Sequence, residues 1–137
     1  MRRLTQLLIG SACLVAASAC NNDSTSPTVN IYGTYSLRTI NGSSLPYQFT
    51  ASNGQVVTLT NDILTLNPDG TYTDQSYLTS FQGTNVSTES GTWSSNNGAI
   101  SFYDITDGGL TYGGSLSGSV LTEIDTQDGL TEVFQKQ

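Results

Sequence analysis

The sequence predicts an all-β domain, a small antiparallel up-and-down β-barrel of about eight to ten strands. Three observations predict it. From Ile31 onward no window carries apolar residues at i, i+3, i+4 and i+7 through three turns, and Gly, Ser, Thr and Asn interrupt every stretch. Short runs rich in Val, Ile, Tyr, Phe and Thr recur at regular spacing instead. Between them stand residues with turn chemistry, the clearest being Asn67-Pro68-Asp69-Gly70. There Pro presets φ, Asp tolerates the bridge region, and Gly supplies the positive φ at which a side chain would clash.

In chain order, the first segment reads as an export signal. Arg2 and Arg3 form a basic start and Leu7 to Ala19 is apolar and small, too short to span a bilayer comfortably. Ala17-Ser18-Ala19 places small residues before a cut at Cys20. Cys13 would leave with the signal, so Cys20 becomes the lone thiol, which an oxidising compartment tolerates poorly unless it is modified. Residues 1–19 are thus expected to be a signal peptide. Residues 20–30 read as an anchoring cysteine and a polar tether (NNDSTSPTVN), whose ten coil residues would span about 17–19 Å. Residues 31–137 form the domain.

Ile31 to Ile40 alternates Tyr35 and Leu37 against Ser36 and Arg38, and Asn41-Gly42 follows as a strong turn. Leu45 to Thr50 and Gln55 to Thr60 read as a hairpin with Phe49, Val57 and Leu59 facing in. Ile63 to Leu66 and Tyr72 to Phe81 flank the Pro-Asp-Gly turn. Gln82 to Thr88 is polar, a loop or a poor edge strand. Gly91 to Ser94 pairs with Ala99 to Tyr103 across Ser95-Asn96-Asn97-Gly98, and Leu110 to Gly113, Val120 to Ile124 and Leu130 to Phe134 complete the series. Sequential hairpins with short loops favour a meander, and a meander of this many strands hides its edges by closing.

Composition narrows the chemistry. Arg2 and Arg3 leave with the signal, so the formal charge of −7 becomes about −9, with Arg38 and Lys136 remaining. Such a charge repels phosphate backbones, which excludes nucleic acid as a partner. The sequence has no histidine, and Cys20 is its last cysteine, so histidine triads, thiolate nucleophiles and structural zinc sites have no ligands to use. The expectation is a protein that is not an enzyme and carries no cofactor or metal. Asp62, Asp74, Glu89, Asp104 and Glu123 lie in or beside strands, where a carboxylate pair could serve glycoside hydrolysis. Nothing in the sequence brings two of them together, and they read as solvated outer-face or strand-end charges. Asp104 to Gly109 and Asp125 to Gly129 each set two aspartates three apart beside glycine, which suits tight turns and, less well, a weak calcium site.

The seven tyrosines bring apolar bulk with a polar tip. They either fill the core beside Trp93, Phe49, Phe102 and Phe134 or form an exposed patch, or else Tyr35, Tyr72, Trp93 and Phe102 line a cavity for a small lipophilic molecule.

Two resemblances add to this reading. Leu14 to Cys20 resembles a bacterial lipobox, with Ala17 where leucine is usual, which implies a diacylated Cys20 and a membrane anchor. Asn21 after that cysteine implies the outer rather than the inner membrane of the cell envelope. Gly33-Thr34-Tyr35, then Leu64 to Tyr72 with its Asp69-Gly70-Thr71-Tyr72, then Gly91-Thr92-Trp93 and Ile100-Ser101-Phe102 resemble the lipocalin-like domains of bacterial envelope lipoproteins. The first motif carries Tyr35 where a true lipocalin has tryptophan. The resemblance implies a lipocalin-like barrel serving as a non-catalytic binding module that holds a small hydrophobic ligand in its mouth. The alternative is a filled barrel that presents its outer face to another envelope protein.

Overall fold

The computed structural model describes residues 30–106, 108–126 and 129–137. The expected signal, Cys20 and the tether as far as Val29 lie outside the described residues, as do Asp107, Gln127 and Asp128.

The described residues form β1 (Gly33–Ile40), β2 (Ser43–Ser44), β3 (Tyr47–Thr50), β4 (Val56–Leu66), β5 (Thr71–Ser80), β6 (Gly83–Asn96), β7 (Ala99–Asp104), β8 (Leu110–Ser117), β9 (Val120–Asp125) and β10 (Leu130–Lys136). Eight of these strands close into a barrel. From β4 to β10 each strand pairs antiparallel with the next, β10 returns to β1, and β1 pairs with β4. Closure leaves no free edge in the ring. β2 and β3 stand outside it, adding to the ends of β1 and β4.

The turn chemistry is as the residues dictate. Gly70 sits at φ 83°, where a β-carbon would be strained. Asp69 Oδ1 accepts from the Thr71 amide at 3.0 Å and from its hydroxyl at 2.7 Å, which fixes the turn.

Three local expectations need correction. The strands expected over 55–60 and 63–66 are one, because a bulge between Leu59 and Asn61 absorbs the change of phase. Of Gln82 to Thr88, only Gln82 belongs to a turn: Gly83 to Thr88 is neither loop nor edge but the start of the 14-residue β6, paired throughout with β5. Phe49 does not enter the core, although it shares the face of Tyr47 and Leu59. It lies on β3, outside the ring, opposite Val57 and 40% exposed.

The barrel interior divides into two halves. Around the end that holds the 67–70 turn, Tyr35, Leu37, Leu64, Leu66, Tyr72, Ile100, Phe102, Leu121 and Phe134 are buried and packed together. Each contributes about 1.5–3 kcal/mol by leaving water. Phe102 meets the Tyr72 ring edge-on at 5.2 Å and stacks on Tyr112 at 5.0 Å. Gly91 allows this packing: a β-carbon there would fall 2.0 Å from the Tyr103 carbonyl oxygen and 2.8 Å from the Tyr72 ring. Trp93 donates its indole N–H to the Asn67 carbonyl at 3.1 Å and packs beside Tyr32, while Lys136 lies over the Tyr35 ring and donates to the Asn30 carbonyl. This end is filled. The outward positions of β5 and β6 are largely threonine, serine and glutamine, unlike the apolar outer band of a membrane-spanning barrel.

Candidate functional site

The other half of the interior is acidic. Strand alternation carries it there: Asp62 shares a face with Leu64 and Leu66, Asp74 with Tyr72, Glu123 with Leu121, and Glu132 with Phe134. Along each strand, moving away from the packed end, the inward residue changes from apolar to carboxylic. Asp62, Asp74, Ser76, Glu89, Tyr112, Glu123, Asp125, Leu130 and Glu132 border one cavity of about 180 Å³. Six carboxyls face it, and neither Arg38 nor Lys136 does. Arg38 is exposed, and Lys136 belongs to the packed end.

This chamber opens into a wider mouth of about 640 Å³, the two sharing Asp62, Ser76, Glu89, Leu130 and Glu132. Ile40, Leu59, Leu78 and Leu130 from the barrel rim and Tyr47 and Phe49 from β3 give the mouth apolar walls. The outlying β2–β3 segment thus forms one side of it.

Among the described residues, three of these carboxyls keep a buried oxygen without a partner. Ser76 donates to Asp62 Oδ2 at 2.6 Å, but Asp62 Oδ1, Asp74 Oδ1 and Glu123 Oε1 are buried with no hydrogen-bond partner among the described residues. Burial pushes the Asp62 carboxyl up to about 10, helped by the neighbouring Asp74, so Asp62 keeps its proton at neutral pH. Burial also raises Asp74, and it raises Glu123 well above the carboxylate range. Glu132 is pushed up to about 7, by burial first and then by Asp74, Glu89 and Asp125. Glu132 stands directly across from Glu123 in the sheet, a like-charge pairing that destabilises when both ionise. Tyr112 roofs the packed half: it stacks on Phe102 and donates to the Tyr72 hydroxyl at 3.1 Å, and burial raises both phenols, Tyr72 to about 12.

Of the residues that the sequence offered as a lipophilic lining, Tyr35, Tyr72 and Phe102 lie in the packed half, each at most 1% exposed, and Trp93 caps its end. None of the four borders the chamber or the mouth. Cys20 lies outside the described residues. The reading of the acids as outer-face charges fails for Asp62, Asp104 and Glu123, which are 3–5% exposed. The structure brings Asp62, Asp74, Glu89 and Glu123 to one cavity and adds Asp125 and Glu132. Period-two alternation is the signal that finds most of them: Asp62, Asp74, Glu123 and Glu132 each stand two residues from a core position. Among the described residues no group of three or more acids, histidines or cysteines is placed to hold a metal ion. Asp107 and Asp128, on which the calcium reading depends, lie outside the described residues.

A closed, up-and-down antiparallel barrel of eight strands, packed at one end and open at the other, is the architecture of the lipocalin-like class. No family model matches the sequence, and no curated protein matches it. Among solved structures the chain is similar to the crystal structure of a lipocalin-like protein from Bacteroides uniformis ATCC 8492, with 17% identity, 77% of this chain and 97% of that one covered, and a TM-score of 0.46.

Proposed function

We propose that this protein is a non-catalytic binding module of the bacterial cell envelope, anchored by lipid on Cys20, whose barrel mouth captures a small ligand with an apolar body. The observation that carries the reading is the mouth itself: a concave space of about 640 Å³, in the size range of small-molecule sites, walled by Ile40, Tyr47, Phe49, Leu59, Leu78 and Leu130. Such a site needs no reacting group. Native mass spectrometry of the protein recovered from its own envelope, with titration of a fluorescent apolar probe, tests it. A co-purifying small molecule, or saturable probe uptake lost in Tyr47→Ala and Leu78→Ala, supports capture. A bare mass without uptake refutes it.

A second reading has its own support. Phe81 is 77% exposed at the β5–β6 turn, and Val56 and Val86, on the strands beside it, are 58% and 47% exposed. An apolar tip of this kind suits contact with another envelope protein. Crosslinking from Phe81 in cells tests that reading, and it predicts a discrete adduct lost in Phe81→Ser.

A further inference from the structure

The reading above uses the mouth but leaves the chamber beneath it unexplained. We infer that the chamber receives the cationic end of the ligand, an alkylammonium group, while the apolar body stays in the mouth. This inference rests on the proposal that the mouth binds a ligand at all.

Two independent observations carry it. The first is composition: six carboxyls, one serine hydroxyl and one phenol border the chamber, and no cation does. The second is an unmet demand for donors. Glu123 and Asp62 are each 5% exposed, border the chamber, and leave Oε1 and Oδ1 without a partner; Asp74, less deeply buried, leaves its Oδ1 unpartnered too. The walls therefore offer acceptors that nothing in the described fold satisfies. An ammonium has three donors and no acceptor, the complement of such a wall. Among the described residues no three of these carboxyls converge on one point to hold a metal ion. An organic cation meets the acids singly, through N–H donors spread around its head. A fatty-acid carboxylate is the wrong sign for this chamber.

Without a ligand, protons do the work of the cation. Glu132 faces Ile40 of β1, Glu123 and Asp125 of β9, and across the chamber Asp62 of β4, Asp74 of β5, Glu89 of β6 and Tyr112 of β8, with Asp104 buried on β7. No cationic side chain stands among them. An ammonium entering among Asp62, Asp74, Glu123 and Glu132, which burial holds toward their protonated forms, displaces their protons, so amine binding and proton release are linked, and affinity rises with pH while the amine itself stays charged.

The test is calorimetric titration of the purified full chain with n-hexylammonium, n-hexanol and hexanoate at about pH 5.5 and pH 8. At the higher pH, hexylammonium is expected to bind at least about tenfold more tightly than hexanol, with no measurable heat from hexanoate; the amine's advantage shrinks at the lower pH. Glu123→Gln and Glu132→Gln, which mimic the protonated carboxyls and so keep the fold, are each expected to cut that advantage about tenfold, and Glu123→Gln, which lies beneath the mouth and not in its wall, is expected to leave hexanol binding unchanged. Hexanol binding as tightly as the amine, or an amine advantage that survives both variants, overturns the inference and leaves the mouth standing. Failure of hexanol and hexylammonium alike overturns the mouth reading and the inference with it.

Discussion

Replacing Glu132 with glutamine is expected to stabilise the domain at neutral pH and to flatten its pH dependence. In the unfolded chain this carboxyl gives up its proton near 4.5, and in the barrel it holds on until about 7. Between those values the folded state binds more protons than the unfolded one, so stability contributed by this group is fully present below about pH 4.5 and is lost as pH rises to about 7. The rise from 4.5 to about 7, at about 1.4 kcal/mol for each tenfold change in proton affinity, makes the loss at most about 3.5 kcal/mol. Glu132→Gln removes the group that must ionise, and it is expected to raise Tm at pH 7.5 by up to about 14 °C, taking about 4 °C per kcal/mol for a domain of this size. Below about pH 4.5 the variant and the parent are expected to melt together. Asp62, Asp74 and Glu123 are raised too, so the parent keeps losing stability above pH 7. Asp69 works the other way: hydrogen bonds from Thr71 hold it below its ordinary value, so its stabilisation fades in strong acid. Thermal melts by circular dichroism from about pH 4 to pH 9 measure both effects. A parent Tm that rises between pH 5 and 7.5, or a variant no more stable than the parent at pH 7.5, would falsify the assignment of Glu132 to a buried acidic cluster.

Three further outcomes follow from residues at the packed end and the anchor. Gly91→Ala is expected to cost more than about 2 kcal/mol in denaturant unfolding, since its β-carbon cannot share space with the Tyr103 carbonyl 2.0 Å away; a neutral result would mean that β6 and β7 do not approach this closely. Gly70→Val is expected to cost more than about 1 kcal/mol, because valine is strained at φ 83°, and an unchanged midpoint would mean that the turn is drawn wrongly. Cys20→Ser is expected to move the protein from the membrane to the soluble fraction, as read by fractionation, and unaltered partition would end the lipid-anchor proposal.

The barrel was legible because its information is local. Turn residues at 41–42, 67–70 and 97–98 announce their own geometry, with Asn41 and Asn97 at positive φ beside Gly42 and Gly98 as two-residue hairpin turns require. The acidic chamber was obscured by two things that are not local. A bulge at Leu59 shifts the phase of β4, so counting in twos from Val57 puts Asp62 on the wrong face, whereas counting back from Leu66 puts it on the right one. Second, the assumption that a carboxylate belongs outside rests on the cost of burying charge, and these groups evade that cost by holding protons. Tyr72 lies in the packed core and Trp93 caps it, but periodicity along a strand does not say which end of the barrel is packed. Closure between β1 and β10, almost a whole chain length apart, decides that.

The cost of the acidic half bears on what the barrel is for. A barrel that served only to present its outer face would be more stable with leucine or valine at 62, 74, 123 and 132, since well-packed apolar residues outdo buried ionisable ones. Instead five strands each turn at least one carboxyl inward, beneath an open mouth and away from Arg38 and Lys136. Sites that sacrifice stability in this way are usually functional, and the sacrifice is recovered when a ligand supplies what the fold withholds. Gain of stability and loss of ligand affinity are therefore expected together in Glu123→Gln and Glu132→Gln. A barrel that is stabilised by both changes and still binds hexylammonium as before would place the ligand elsewhere, and the exposed tip around Phe81 would then be the surface to pursue.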